Sequence, residues 1–535
     1  MPSTAFITLL WITFLVAINK YIYQIPGLLF YGLVLLGICC RSLYNWQIHP
    51  FYFSTLRGLP QPRAKPHWLW GHFVHAVDDG QYLLDWCEEN PDADLMRMLG
   101  MMNSERILPV SPRAMMEILQ TQAYTFIKPP FMRRSLNGIL GNGVLFAEGE
   151  DHKHQRKVLM PAFAYSHIKS LAPVFMEESA RLVKLLREKV RASEKVDSDQ
   201  VPEIDVARLL SLLTLDILYR AGLGITFNAL ENPDNELGIA YDRVFSPTGR
   251  TSRIFFLLQS LIPGFRFIPI SRNLKLWRAR QTINKFAYDA ILAKMANHEL
   301  SAGTKKAPGE KDVDILSVMI DEGNGQWTVQ SMMDQLLTFL VAGHETTASA
   351  VTLALYHLSL NQAVQDKLRD EIHAKFPAGY DSIKTYEDIE SLTYLNNVVR
   401  ELLRVQPPVI GTIRMAKEDT YVTRQFIPKG TLVNIPIVSL NKSRQLWGED
   451  AREFNPDRWD GRQANNVMAF LTFLQGPRSC IGRRFAEIEF KSILLSLIGN
   501  FKFALKEGRT VEFRTSITYR PLGGLPLVVT PVSGW

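Results

Sequence analysis

The chain has 535 residues, of which 47% are hydrophobic and 21% charged, a composition typical of a globular protein with a large core. The formal net charge is +7. The sequence has no zinc-finger spacing, ribonucleoprotein motif or dense Lys/Arg run. The excess charge therefore argues against nucleic acid and indicates a basic face toward acidic phospholipid or an acidic protein. Two of the four cysteines are adjacent in an apolar segment, which argues against disulfides and predicts a reduced, cytosol-facing protein.

The N-terminus contains two apolar runs, Ala5–Ile18 and Tyr21–Cys40. The second has the roughly 20 residues that a bilayer-spanning helix needs. No Lys or Arg precedes the first run and no small-x-small cleavage site ends it, which favours a retained anchor over a signal peptide. The alternative is a pair of core helices. Basic residues follow the second run: Arg41, Arg57, Arg63 and Lys65. We therefore predict an anchor of one or two spans at residues 1–41, in the endoplasmic reticulum membrane, with the remainder in the cytosol.

Residues 42–66 are predicted to form a proline-rich hinge, because Gly58–Arg63 is stiff and poor at continuing a helix. Residues 67–535 are predicted to be mainly α-helical with small β-sheets. Residues 255–270 form an apolar, proline-broken patch that suits either core or a membrane-dipping surface. Helical periodicity is clearest in Met115–Thr121, Ile204–Leu223 and Thr328–Leu360. The predicted strands are Leu95–Leu99, Arg106–Val110, Gly411–Ala416, Tyr421–Val422, Thr431–Ile435 and parts of Thr515–Val529.

The longest helical pattern carries the sequence Ala-Gly-His-Glu-Thr-Thr, residues 342–347, at its middle. Glycine costs about 1 kcal/mol against alanine inside a helix, so helix propensity does not explain Gly343. Small residues allow a flat ligand and a diatomic molecule to approach the helix axis. The Thr346 hydroxyl can bond back to a carbonyl, and Glu345 can relay protons. We expect His344 to pack or face solvent rather than bind metal.

The segment from Phe473 to Gly482 places Cys480 in a glycine-punctuated turn directly before a helical pattern. A thiol at a helix N-terminus lies near the positive end of the helix dipole, which favours the thiolate. Glycines permit a tight turn and close approach of the backbone to a flat ligand. These features suit a single-thiolate metal site, and haem iron is the metal most often held in that way. The alternative is a small buried hydrophobe.

The pattern Phe-x-x-Gly-x-Arg-x-Cys-x-Gly resembles the cysteine-ligand signature of the cytochrome P450 family. The long-helix run is similar to that family's oxygen-activation motif, Ala/Gly-Gly-x-Glu/Asp-Thr. The resemblance covers residues 58–535 and is to fungal microsomal members. It implies the cytochrome P450 fold and haem b with Cys480 as the axial ligand. It also implies that Thr346 stabilises bound oxygen and that Glu345 supplies protons. The implied cofactor contacts around these residues are Phe473, Gly476, Arg478, Gly482 and Gly343.

The family's Trp-x-x-x-Arg motif, which reaches a haem propionate, is matched only in part. Arg156 is present, but His152 stands at the tryptophan position, where its imidazole N–H can still donate to a carboxylate. Arg414 lies where the family often has another propionate-binding arginine. The resemblance also implies a buried structural network beneath the haem, formed by Glu401, Arg404 and Arg458.

These motifs are more than three hundred residues apart but imply one cofactor, so we predict one catalytic domain. The predicted reaction inserts one atom of O2 into an apolar small molecule. Because no flavin or nicotinamide motif is present, electrons are expected from NADPH through a separate NADPH–haemoprotein reductase, with cytochrome b5 as an alternative donor, docked on a basic face.

The substrate is expected to be a terpenoid, polyketide or alkaloid intermediate of secondary metabolism. Its pocket is expected to be mainly apolar, with Thr412 and Arg520 as polar residues. The alternatives within the same reaction class are a fatty-acid or alkane hydroxylase and a xenobiotic hydroxylase. Those outside it are a haem-thiolate isomerase or dehydratase and a non-catalytic haem sensor.

Overall fold

The computed structural model describes residues 27–75, 80–194, 203–234, 236–245, 264–265, 268–301, 314–322, 327–461, 466–515, 517–533 and 535. The apolar run Ala5–Ile18 and most of the patch at 255–270 lie outside these residues. Within the ranges just given, no helix combines the length and the apolarity needed to cross a membrane.

Helices make up most of the described chain, and the prediction of a mainly α-helical protein with small sheets is confirmed. The helices are α1 (Gly27–Leu43), α2 (Gln81–Glu89), α3 (Pro112–Met116), α4 (Pro130–Leu140), α5 (Gly149–Leu159), α6 (Tyr165–Ser170), α7 (Ala172–Glu194), α8 (Val206–Leu223), α9 (Glu236–Phe245), α10 (Ser271–Ser301), α11 (Ile315–Glu322), α12 (Val329–Leu360), α13 (Gln362–Lys375), α14 (Tyr386–Glu390), α15 (Thr393–Val405), α16 (Ile437–Asn441), α17 (Arg444–Trp447) and α18 (Arg483–Asn500). Two π-helical segments, Tyr44–Phe53 and Glu117–Thr121, adjoin α1 and α3.

The strands are short and form small sheets. They are β1 (Leu95–Leu99), β2 (Glu105–Pro109), β3 (Phe126–Ile127), β4 (Glu203–Asp205), β5 (Thr412–Ala416), β6 (Thr420–Val422), β7 (Gln425–Ile427), β8 (Leu432–Ile435), β9 (Phe501–Ala504), β10 (Phe513–Thr515), β11 (Tyr519–Pro521) and β12 (Pro526–Pro531). The largest sheet has the order β1-β2-β8-β5-β3, in which β2 and β8 are parallel and the other pairs antiparallel. The smaller sheets are β4-β12-β9, β6-β7 and the hairpin β10-β11.

Helix α12 runs through the largest hydrophobic core and positions much of the site. It begins where the Thr328 hydroxyl accepts a hydrogen bond from the Ser331 backbone N–H at 3.1 Å, a capping interaction that satisfies one of the free N–H groups of the first turn. The helix is apolar around most of its circumference because it packs against both α8 and α18. Its middle, residues 342–347, therefore lies between other helices.

The predicted hinge, residues 42–66, packs against the five-stranded sheet. Leu56 is buried in the same hydrophobic cluster as residues of β1, β2 and β8. The buried Arg97 guanidinium donates to the carbonyl oxygen of Pro50, and the Arg97 backbone N–H donates to that of Pro60 at 2.8 Å. These contacts fix the path of the chain between α1 and the first sheet.

Glu401 forms the centre of a fully buried polar network at the end of α15. Its carboxylate accepts two hydrogen bonds from Arg404, at 2.7 and 2.8 Å, and both side chains are 0% exposed. Arg458 donates at 3.3 Å and the Trp459 indole at 3.0 Å. The remaining Arg404 donors bond backbone carbonyls. Because breaking one member of a buried pair leaves an uncompensated charge, these residues hold the surrounding segments in place.

The network continues to the cysteine loop through Asn441. Arg404 donates to the Asn441 carbonyl oxygen at 2.8 Å, and the Asn441 amide donates to the Thr472 hydroxyl at 2.8 Å. The Asn441 side-chain oxygen also accepts from the Leu471 backbone N–H at 2.8 Å. The position of Phe473, where the loop begins, is thus coupled to the buried Glu401–Arg404 pair.

Candidate active site

The loop from Phe473 to Gly482 joins this network to α18. The Cys480 backbone N–H donates to the Phe473 carbonyl oxygen at 2.8 Å, which closes the loop. Gly476 has a φ of 80°, and a Cβ at this position would clash with the carbonyl oxygen of Leu119. The conformation and the close approach therefore both require glycine. Gly482 caps α18, so the cysteine lies just before a helix N-terminus, as the sequence predicts.

Cys480 is exposed, and the protein atoms around it are dense enough to desolvate its thiol. Desolvation raises the pKa of the thiol, whereas the Gly482 backbone N–H and the charge of Arg156 act in the opposite direction. The groups that favour the thiolate are thus present, but desolvation outweighs them in the protein alone. A cation bound to the sulfur would reverse the balance, because a coordinated thiol is deprotonated.

Arg156 and Arg478 both contact protein groups that border the cysteine. Arg156, from α5, donates to the Ser479 carbonyl oxygen at 2.7 Å and to its hydroxyl at 3.4 Å. Arg478 donates to the Ala147 carbonyl oxygen at 3.1 Å and forms an ion pair with Glu148. The two arginines therefore connect the loop to α5 and to the segment that precedes α5.

His152 lies on the same helix as Arg156 but is uncharged. It is buried, and its Nδ1 is 3.2 Å from the Tyr124 hydroxyl. Desolvation, followed by the charges of Arg478 and Lys128, lowers its pKa to about 3. A neutral imidazole still has one N–H to donate to a carboxylate, but it adds no positive charge to the site.

A buried excess of positive charge lies beside the loop. Lys128 and Arg414 are 8% and 3% exposed, and one carboxylate, Glu148, faces these two cations and Arg478. Desolvation and the neighbouring arginines lower the pKa of Lys128 well below its usual value, and burial lowers that of Arg414 to about 10. We call Lys128, Arg414 and Arg478 the basic cradle.

The basic cradle suits an anionic ligand that brings its own carboxylates, because buried cations require counter-charges. The two propionates of a haem are such groups, and Cys480 offers the soft donor that its iron takes. The residues present therefore fit a haem.

The side chains of Thr346 and Glu345 have different partners and different exposure. The Thr346 hydroxyl, on a partly exposed stretch of α12, donates back to the Ala342 carbonyl oxygen at 2.5 Å, as the sequence predicts. Glu345 is buried, and its carboxylate accepts from the Thr518 hydroxyl at 2.9 Å and pairs with Arg520 at 2.9 Å. Arg520, which the sequence suggested as a polar residue of the pocket, therefore contacts the acid.

Gly343 and His344 face α8. A Cβ at Gly343 would lie 3.1 Å from the Leu218 Cδ1 atom, so the small residue permits close packing of two helices. This differs from the expectation that Gly343 makes room for the cofactor. His344 is buried, with its Nε2 2.9 Å from the Ser211 hydroxyl, which is the packing role expected for it. Within the described ranges, no cluster of His, Cys, Asp and Glu could hold a further metal ion.

Sequence reasoning missed Lys128, Tyr124 and Glu148. They belong to the site because Lys128 completes the basic cradle, Glu148 is its carboxylate, and Tyr124 bonds His152. Lys128 precedes Pro129-Pro130 at the start of α4. The sequence gives no signal that connects Lys128 to the cysteine loop, because the two are far apart in the chain and no motif includes this lysine.

Two comparisons identify the family. The model of the family described as cytochrome P450 matches residues 60–522. The chain belongs to the cytochrome P450 family. It is 37% identical over 521 residues to cytochrome P450 monooxygenase sphH of Aspergillus fumigatus, with 94% of each chain covered. It is 33% identical to cytochrome P450 monooxygenase ALT8 of Alternaria alternata, again over 94% of each chain. It is 34% identical to FUM15 of Gibberella moniliformis, over 92% and 91% of the two chains.

Family membership establishes the general chemistry. Cytochromes P450 are haem-thiolate enzymes with a cysteine as the axial iron ligand, and they use O2, electrons from a redox partner and an organic substrate. The protein is therefore an oxidoreductase and a monooxygenase with fungal relatives, and haem is its cofactor.

Replacing Lys128 with Met should weaken haem retention without weakening the fold. The substitution removes a buried amine, so the apoprotein should melt at the same or a higher temperature. Loss of one charge-assisted bond to a propionate should speed haem transfer to apomyoglobin by about tenfold or more. Lys169→Met is the control, because Lys169 is exposed and pairs with Glu387. Equal transfer rates for both variants and the wild type would remove Lys128 from the haem site.

Proposed function

We propose that Cys480 is the axial ligand of a haem whose propionates lie in the basic cradle, and that the protein oxidises an apolar small molecule. The observation that carries this proposal is the exposed, partly desolvated thiol of Cys480 in a loop that adjoins the buried cations Lys128 and Arg414. When bound, the haem supplies the activation of O2, and the thiolate donates electron density to its iron. Arg156, through Ser479, orients the loop that presents the sulfur.

Thr346 and Glu345 handle protons on the other side of the site. The Thr346 hydroxyl holds its proton toward the Ala342 carbonyl oxygen and can turn it toward a ligand by giving up that one bond. Glu345 is a buried carboxylate, paired with the more exposed Arg520, that can take up and pass on a proton. The presence of both residues supports a monooxygenase over an isomerase or dehydratase that rearranges an existing peroxide.

The substrate is apolar, and we infer that it belongs to secondary metabolism. The two polar side chains expected in the pocket both have protein partners: Thr412 accepts a hydrogen bond from Arg414 at 3.0 Å, and Arg520 pairs with Glu345. The half-buried residues that precede and begin β5 are otherwise apolar, including Val409 and Ile410. A terpenoid, polyketide or alkaloid intermediate would suit such surroundings.

Electrons come from an NADPH–haemoprotein reductase, with cytochrome b5 as an alternative donor, that docks beside the cysteine loop. Exposed cations surround this loop, and the Arg483 guanidinium lies 5.3 Å from the centre of the Phe473 ring. The exposed cations are Lys157, Arg400, Arg483 and Arg484. Such a surface would steer an acidic partner to the side on which the sulfur lies.

The N-terminal segment attaches the protein to the endoplasmic reticulum membrane, with the catalytic domain in the cytosol. Helix α1 supports this proposal, because its side chains Leu33, Leu35 and Leu36 are 52%, 63% and 58% exposed. Exposed aromatic residues follow it: Trp46, Tyr52, Phe53, Trp68 and Trp70. Aromatic rings beside an apolar helix are typical of the membrane–water interface.

Thr346→Val should uncouple electron consumption from oxygen insertion. With the reductase and NADPH, the share of electrons recovered as hydrogen peroxide should rise by about tenfold, because a hydroxyl that directs a proton is lost. Thr352→Val is the matched control: Thr352 also donates to a carbonyl one turn back, at 2.7 Å to Ala348, but it is buried in the core. If Thr346→Val and Thr352→Val release peroxide alike, Thr346 has no special role.

The membrane proposal predicts that the full chain stays in the pellet after alkaline carbonate extraction of microsomes. A variant that lacks residues 1–41 should move largely to the supernatant, because it loses the apolar helix. Release of the intact chain by carbonate would contradict the anchor.

A further inference from the structure

The carboxylate of Glu345 is held by the hairpin β10–β11. The Thr518 hydroxyl, between the two strands, donates to Oε1 at 2.9 Å, and the Arg520 guanidinium pairs with the same oxygen at 2.9 Å. A third bond joins the elements, because the Ser349 hydroxyl donates to the Tyr519 carbonyl oxygen at 2.5 Å. The hairpin therefore bonds α12 at two positions one helical turn apart, Glu345 and Ser349.

The Arg520–Glu345 ion pair is stronger than a fully exposed pair, because it is largely buried. The Glu345 side chain is 7% exposed and that of Arg520 20% exposed, so the guanidinium lies nearer to solvent than the carboxylate. Loss of Arg520 would leave the nearly buried carboxylate without its counter-charge and without the partner that fixes its orientation.

The hairpin itself is fixed by packing that does not involve the acid. The rings of Phe513 and Tyr519 stack with centroids 5.2 Å apart, and Tyr356 of α12 packs edge-on against Phe513 at 4.8 Å. The Tyr519 backbone N–H donates to the Pro408 carbonyl oxygen at 2.8 Å. The location of Arg520 is therefore set by the hairpin, and Arg520 in turn sets the orientation of Glu345.

We propose that Arg520 is a positioning residue that holds the Glu345 carboxylate in the orientation from which it passes a proton from solvent toward Thr346. This inference rests on the proposed proton-handling role of Glu345 and Thr346. In the step itself, an O–H bond of a hydronium ion breaks, which leaves a water molecule, and an O–H bond forms on Glu345. That bond breaks again when the proton passes on toward the Thr346 hydroxyl oxygen, and Glu345 is once more the carboxylate that pairs with Arg520. The guanidinium stays protonated throughout.

The test uses the full-length holoenzyme with its reductase, NADPH and O2, and no added substrate. By electron balance, release of hydrogen peroxide consumes one NADPH per O2, whereas reduction to water consumes two and requires further proton delivery. The NADPH:O2 ratio thus reports proton supply. The variants are Arg520→Gln, Arg520→Lys, Glu345→Gln and the Arg520→Gln/Glu345→Gln double variant. Arg514→Gln is the control, because Arg514 is the cross-strand neighbour of Arg520.

We expect Arg520→Gln and Glu345→Gln each to raise the peroxide share by about twofold or more, because both impair one proton-transfer unit. The double variant should match Glu345→Gln, since residues that act as a unit are not additive. Arg520→Lys should restore most of the wild-type ratio, and Arg514→Gln should leave it unchanged. The solvent deuterium isotope effect on NADPH oxidation should rise in Arg520→Gln.

Hydrogen–deuterium exchange of residues 513–524 separates positioning from a structural role. If Arg520→Gln loosens the hairpin but leaves the NADPH:O2 ratio and the isotope effect at wild-type values, the proposal is overturned. Additive effects in the double variant would overturn it as well. If the wild type and Glu345→Gln have the same ratio, the role of Glu345 itself fails. Activity is normalised to the reduced carbon-monoxide spectrum, so that poorly loaded variants are not mistaken for impaired ones.

Discussion

The buried carboxylate of Glu401 is the constraint on which the rest of the site depends. A charge with no solvent exposure is stable only when every lone pair is used, and Glu401 uses its own on Arg404, Arg458, Trp459 and the Asn455 backbone N–H. Those bonds tie α15 to the segment that follows α17 and, through Asn441, to the start of the cysteine loop. The sulfur is therefore positioned by a network that takes no part in the chemistry.

The site combines two opposite electrostatic arrangements. Beside the cysteine loop, positive charge is in excess, because the three cations Lys128, Arg414 and Arg478 face a single carboxylate, that of Glu148. At Glu345 the charges are balanced, because this acid pairs with one arginine, Arg520. The first arrangement leaves an excess of positive charge that an anionic cofactor can balance. In the second, the protein itself supplies the counter-charge of the acid.

The sequence predicted those features that depend on residues close together in the chain. The boundaries of α12, the strands β1 and β5, and the glycine turn at Gly476 follow from periodicity, capping and φ. Long-range contacts were not predictable: Lys128 lies near Arg478, which is 350 residues away in the chain, and Arg520 bonds Glu345 of another element. The contact between Gly343 and Leu218 was not predictable either, because Leu218 belongs to another helix. Side-chain direction depends on packing, which a single sequence does not reveal.

The most direct test of the account is the absorption spectrum of the reduced carbon-monoxide complex. The wild type should show the thiolate-type Soret band. Cys480→His, which can retain haem through an imidazole, should bind carbon monoxide without that band. A thiolate-type band that persists in Cys480→His, or is absent from haem-loaded wild type, would contradict the assignment of Cys480 as the iron ligand.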